Sequence, residues 1–145
     1  LHSKSNIEKM SNGTALTDDD RWPWLSAVRD CARENAALGK TKLTDRPLMV
    51  IPCSALKKSY RKLLRDSDAT TVFVFLKGSF ETLNERMKDR GGHFMKSEML
   101  KGQIATLESP EGEENVLTVS IENDQTQVIT DAVHAADDFL RTLSS

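Results

Sequence analysis

Lys57 and Arg61 stand four residues apart, just after Ser54 and the apolar run Leu48-Met49-Val50-Ile51. On a helix that spacing puts both cations on one face. In an open α/β sheet ligands bind beyond the carboxyl ends of the strands. Cations grouped at such a point suit an anionic substrate. Ser54 has two roles open to it, a hydrogen bond to a substrate hydroxyl or the cap of the following helix. The plain alternative for the whole group is a capped, solvated basic helix. A second pair, Arg86 and Arg90, repeats the spacing and runs into Gly91-Gly92-His93-Phe94. Two guanidiniums on a hinged segment suit a lid that closes over phosphates. The alternative there is a helix-end charge group partnered by Glu85 and Asp89. His2 and the stretch Asp20-Arg21-Trp22-Pro23-Trp24 form a third, less specific group. Acidic triplets favour helix N-termini, and the tryptophans read as packing residues. Cys31 and Cys53 have neither metal-ligand nor disulfide-framework spacing, so no metal site is expected from them.

Alternating elements must position these groups. A short polar helix is expected over Asn6–Met10, ended by Gly13, and a longer one from about Trp22 to Leu38 with Pro23 in its first turn. Strands are expected at Leu48–Ile51, Val72–Leu76 and Val116–Ile121. The first two are apolar throughout, as in strands covered on both faces. Helices are expected at Lys57–Arg65, at Ser79–Arg90 with Ser79 as cap, at Ser97 to about Glu108, and at Gln125–Leu143. Strand alternating with helix argues for a parallel α/β sheet with right-handed crossovers.

The totals exclude several classes. With 145 residues, 38% apolar and 29% charged, one folded domain is the natural expectation. A net charge of −2 gives no reason to expect a nucleic-acid or membrane partner. No apolar run approaches the ~20 residues of a membrane span, and no secretory h-region opens the chain, so a reduced cytoplasmic setting is expected.

Taken in order, LHSKSNIEKM, DDDRWPWL, CSALKKSYR, FLKGSFE, RMKDRGGHF and QIATLE resemble the gluconate kinases. These are the small thermoresistant-type gluconokinases of the P-loop kinase superfamily. The resemblance runs from Leu1 to the end and is most specific in CSALKKSYR and GHF. It implies a three-layer α/β/α parallel sheet and a single, partial kinase domain over 1–145. A helical acceptor-substrate region would cover about 1–45 and a lid about 86–108. It also implies transfer of the γ-phosphate of ATP, with Mg2+, to the 6-hydroxyl of D-gluconate. His2 matches the histidine of the family's D-G-D-x-L-H stretch, and Arg21 borders the acceptor region. Ser54, Lys57 and Arg61 fall in the motif expected to hold the sugar acid. Arg86 and Arg90 match lid arginines expected to act on ATP phosphates, and His93 and Phe94 belong to the same lid motif. Partners beyond gluconate and ATP are not implied, though a homodimer is left open.

The departures are specific. Ser3 replaces a proline, and Ser109 intervenes before Pro110. No G-x-x-x-x-G-K-[ST] loop occurs, nor the D-G-D that would precede Leu1. About 35–40 residues of a strand–P-loop–helix–strand unit are expected to be missing. That loss would part the Leu48–Ile51 and Val72–Leu76 strands and leave backbone groups unpaired. A partial sequence of an ordinary enzyme is the expectation. The alternative is a non-catalytic fragment or pseudokinase that binds a sugar acid or a protein partner.

Overall fold

The computed structural model describes residues 2–37, 48–66, 70–89 and 97–143. Its elements in chain order are α1 (Lys4–Ser11), α2 (Asp18–Ala37), α3 (Lys58–Arg65), β1 (Phe73–Lys77), α4 (Phe80–Asp89), α5 (Ser97–Thr106), β2 (Val116–Ser120) and α6 (Gln125–Thr142). The chain divides into two compact units, Leu1–Thr71 with Phe94–Ser109, and Val72–His93 with Pro110–Ser145.

The first unit is helical. Ser3 caps α1 by accepting the Asn6 N–H at 3.1 Å. The helix ends where the Gly13 N–H meets the Met10 carbonyl and the Thr14 N–H meets the Lys9 carbonyl, a Schellman closure. That closure needs a left-handed residue, and Gly13 supplies φ 75° without steric cost. Helix α2 begins four residues earlier than its expected start at Trp22, because Thr17 and Asp20 cap it reciprocally. The Thr17 hydroxyl accepts the Asp20 N–H, and the Asp20 carboxylate accepts the Thr17 N–H at 2.9 Å. Pro23 therefore sits inside the helix rather than in its first turn, and it offers no N–H to the Asp19 carbonyl. Helix α2 packs on α3. Among the described residues, the buried apolar ones of this unit are Leu25 and Val28 of α2, Leu56, Tyr60 and Leu64 in and before α3, and Leu100 of α5.

The second unit holds the sheet. β1 and β2 pair in parallel, with Phe73 opposite Val116 and Lys77 opposite Ser120. Asp124 caps α6 by accepting the Thr126 and Gln127 N–H groups. Helix α6 packs on β2, and Val119, Ile121 and Val128 form a core flanked by Leu83, Ala132 and Ala135. Ile129 and Val133 of α6 are exposed.

The mixed α/β fold with a parallel sheet agrees with the sequence reading. The strand expected at Leu48–Ile51 does not form: residues 48–56 are irregular, and Val50 is 85% exposed. Apolar content alone does not make a strand, because a strand exists through ladder hydrogen bonds to a neighbour. Among the described residues β1 and β2 make the sheet, and 48–51 has no place in it. Among the described residues no helix is long and apolar enough to cross a membrane.

Candidate active site

In the first unit the segment between Ile51 and α3 is a turn built by strain and clasped by side chains. Ala55 has φ 39°, a left-handed conformation that L-residues other than Asn and Asp rarely adopt. Lys57, not Ser54, occupies the N-cap position of α3, and it makes no side-chain capping bond. Of the two roles open to Ser54, capping is therefore excluded, and its side chain lies in an exposed residue. The α3 N-terminus is served from elsewhere. The Glu108 carboxylate accepts the Lys58 N–H at 2.5 Å, where a negative charge suits the helix dipole.

Lys57, Arg21, Asp18 and Tyr60 form one charged cluster. Lys57 Nζ donates to Asp18 Oδ2 at 2.7 Å, and the Tyr60 hydroxyl donates to Asp18 Oδ1 at 2.5 Å. Arg21 Nη1 donates to the Tyr60 hydroxyl at 3.4 Å and lies 3.6 Å from Asp18 Oδ1. The Tyr60 ring is buried, with Lys57 Nζ 5.7 Å from its centroid and Trp22 edge-on at 5.1 Å. Bonds from Lys57 and then Tyr60 lower the pKa of Asp18, so it is a carboxylate at neutral pH. The same Asp18 bond raises the pKa of Lys57, which stays cationic. Burial is the main cause that raises the pKa of the Tyr60 phenol. The result is a half-exposed ammonium and guanidinium beside a fixed carboxylate and a buried phenol, a set able to meet a carboxylate and several hydroxyls. Burial also raises the pKa of Cys53, which favours the neutral thiol at neutral pH.

Arg61 differs from its expected place beside Lys57. It is 1% exposed, and its guanidinium donates to the carbonyls of Ala55 at 2.7 Å, Leu56 at 3.1 Å and Glu108 at 2.9 Å. The four-residue spacing did not place it on the solvent-facing side with the other cations. His2 stacks on Trp24, with centroids 4.3 Å apart and planes at 10°. Its Nδ1 is buried without a hydrogen-bond partner, and burial is the main cause that lowers its pKa.

In the second unit Arg86 donates to the carbonyls of Ile121 at 2.7 Å and Asn123 at 2.6 Å, beyond the end of β2. Ser79 Oγ accepts the Thr82 N–H as expected, while Glu122 accepts the Ser79 N–H and the Thr82 hydroxyl. At the carboxyl ends of both strands lies a cleft of 390 Å³ lined by Lys77, Gly78, Ser79, Thr118, Ser120 and Glu122. Arg90, His93 and Phe94 lie outside the described residues. Among the described residues no group of three or more His, Cys, Asp or Glu side chains is arranged to hold a metal ion.

No family model matches the chain. The thermoresistant gluconokinase of Escherichia coli is 42% identical over 134 residues, which cover 92% of this chain and 73% of that protein. A gluconokinase of Gluconobacter oxydans is 41% identical over 133 residues, 92% of this chain and 71% of that one. The crystal structure of a gluconokinase from Sinorhizobium meliloti superposes with a TM-score of 0.83 at 41% identity, over 99% of this chain and 77% of that one. The chain belongs to the gluconokinase family.

Within that gluconokinase framework, the structure brings Arg21 and Lys57 together and turns Arg61 inward. Sequence reasoning missed Asp18 and Tyr60. Asp18 read as one of an acidic triplet at a helix start, and Tyr60 as part of a motif without a role. No local signal pairs Lys57 with Asp18, which stands 39 positions away in the chain. The cleft at the strand ends was missed as well. Its signal was the position of Lys77-Gly78-Ser79 at the carboxyl end of an expected strand.

Proposed function

We propose that this chain is the acceptor-binding and lid-bearing part of a gluconokinase that transfers the γ-phosphate of ATP to D-gluconate. The observation that carries the reading is the Lys57–Asp18–Tyr60–Arg21 cluster, on residues of the DDDRWPWL and CSALKKSYR motifs of a gluconokinase. A C1 carboxylate meets Lys57 and Arg21, whose charges it complements. Hydroxyls of the polyol chain meet Asp18, Tyr60 and the exposed Ser54, and His2 borders the same region. Asp18 holds Lys57 until the substrate carboxylate arrives. Arg86 and Arg90 serve the nucleotide phosphates, where a guanidinium stabilises charge that develops during transfer, and His93 of the same lid motif serves the substrate.

Mg2+ would come with ATP and would supply positive charge to the transferring phosphoryl group, together with the guanidiniums of Arg86 and Arg90. The test is twofold: calorimetric titration with D-gluconate, and ADP release with gluconate, ATP and Mg2+ present. Saturable gluconate binding with gluconate-dependent ADP release supports the kinase. Binding without ADP release favours a non-catalytic sugar-acid binder. No binding of gluconate, with or without nucleotide, overturns the acceptor assignment.

A further inference from the structure

We propose that Arg61 and Glu108 are positioning residues, a clasp that holds the Ala55 turn in its left-handed conformation and thereby presents Ser54 and Lys57 to the acceptor. The proposal rests on the acceptor reading above and names the parts that make that site a defined shape. Ala55 at φ 39° has its Cβ crowded against the following carbonyl, so the turn reverts to extended or helical backbone unless its surroundings hold it. Two chain segments close around it. Arg61 reaches back from α3 and bonds the Ala55 and Leu56 carbonyls with one nitrogen and the Glu108 carbonyl with the other. Glu108 answers from beyond α5, its N–H donating to the same Leu56 carbonyl at 2.9 Å and its carboxylate accepting the Lys58 N–H. Every backbone group named lies between Ala55 and Lys58 or at Glu108 itself. The guanidinium fork serves these carbonyls from two separate nitrogens, whereas a lysine would have to serve all three from one. The bonds named above from the Arg61 guanidinium and to the Glu108 carboxylate go to backbone groups, so both act on the acceptor through the turn.

The test uses the whole chain with Arg61→Lys and Glu108→Gln, each alone and combined with Ala55→Gly. Glycine adopts the left-handed conformation without the clash. Each clasp variant is expected to weaken gluconate binding about tenfold and leave ATP binding unchanged. Amide exchange over residues 54–58 is expected to accelerate in both. Adding Ala55→Gly should recover most of the gluconate affinity, which a general loss of stability would not allow. Wild-type gluconate affinity with unchanged exchange over 54–58 in both variants overturns the clasp. So does a loss that Ala55→Gly fails to relieve, or one shared equally with ATP. If the unaltered chain binds no gluconate, the acceptor reading fails. Exchange at 54–58 then still decides whether Arg61 and Glu108 hold the turn.

Discussion

Gly78 joins β1 to α4 at a point where no side chain fits. A Cβ built there would lie 2.3 Å from Ile121 Cγ1, 2.7 Å from Ile121 Cδ1 and 3.2 Å from Glu122 Oε1. Ile121 is 4% exposed and belongs to the core with Val119 and Val128, so moving it disturbs that packing. Gly78→Ala must therefore drive Ile121 off its rotamer or shift the end of β1. Overpacking of that kind costs about 1–3 kcal/mol. For a chain of this size each kcal/mol lowers the melting temperature by roughly 2–4 °C. Ile121→Ala removes both offending carbons and costs about 2–5 kcal/mol by itself through the cavity it leaves. In that background Gly78→Ala should cost almost nothing. Urea denaturation of the four proteins gives the coupling directly, expected at about 1–3 kcal/mol and favourable in the double variant. Equal costs of Gly78→Ala in the two backgrounds would show that contact with Ile121 is not what requires glycine.

Lys57→Met keeps the apolar stem over Tyr60 and removes the charge. The gluconate KM should rise about 10–100-fold with the ATP KM unchanged, and equal effects on both substrates would move Lys57 out of the acceptor site. Asp20 has its pKa lowered to about 2 by Lys9 first and then by the Thr17 N–H and hydroxyl. Its stabilising contribution is complete above the unfolded value of ~3.8 and is lost as pH falls through the folded one. The difference in urea midpoint between wild type and Asp20→Asn should accordingly hold near neutrality and shrink as pH falls from ~4 toward 2; a constant difference across that range contradicts the assignment. Leu25 is fully buried, so Leu25→Ala should cost about 2–5 kcal/mol in the same assay, and a loss below ~1 kcal/mol would mean the first unit is not packed around it.

Local chemistry made much of this protein legible from its residues. Ser79 caps α4, Gly13 ends α1 and the 3.6-residue period runs through α6, because each depends on neighbours within a turn or two of chain. The parallel pair of strands was legible too, since a helix-bearing connection between two apolar runs leaves few topologies open. The ordered motifs by themselves resemble those of the gluconokinases. What a residue does with a distant part of the chain was not legible. Lys57 and Arg61 share a helix spacing, yet one faces Asp18 and the other is enclosed by the Ala55, Leu56 and Glu108 carbonyls. Glu108 reaches Lys58 across fifty positions of sequence. Leu48–Ile51 has the composition of a strand but no ladder to join among the described residues. A cap or a helical stripe is satisfied by its own neighbourhood, whereas a ladder partner, a buried guanidinium's acceptors and a salt-bridge mate are supplied by segments that only the tertiary structure brings alongside.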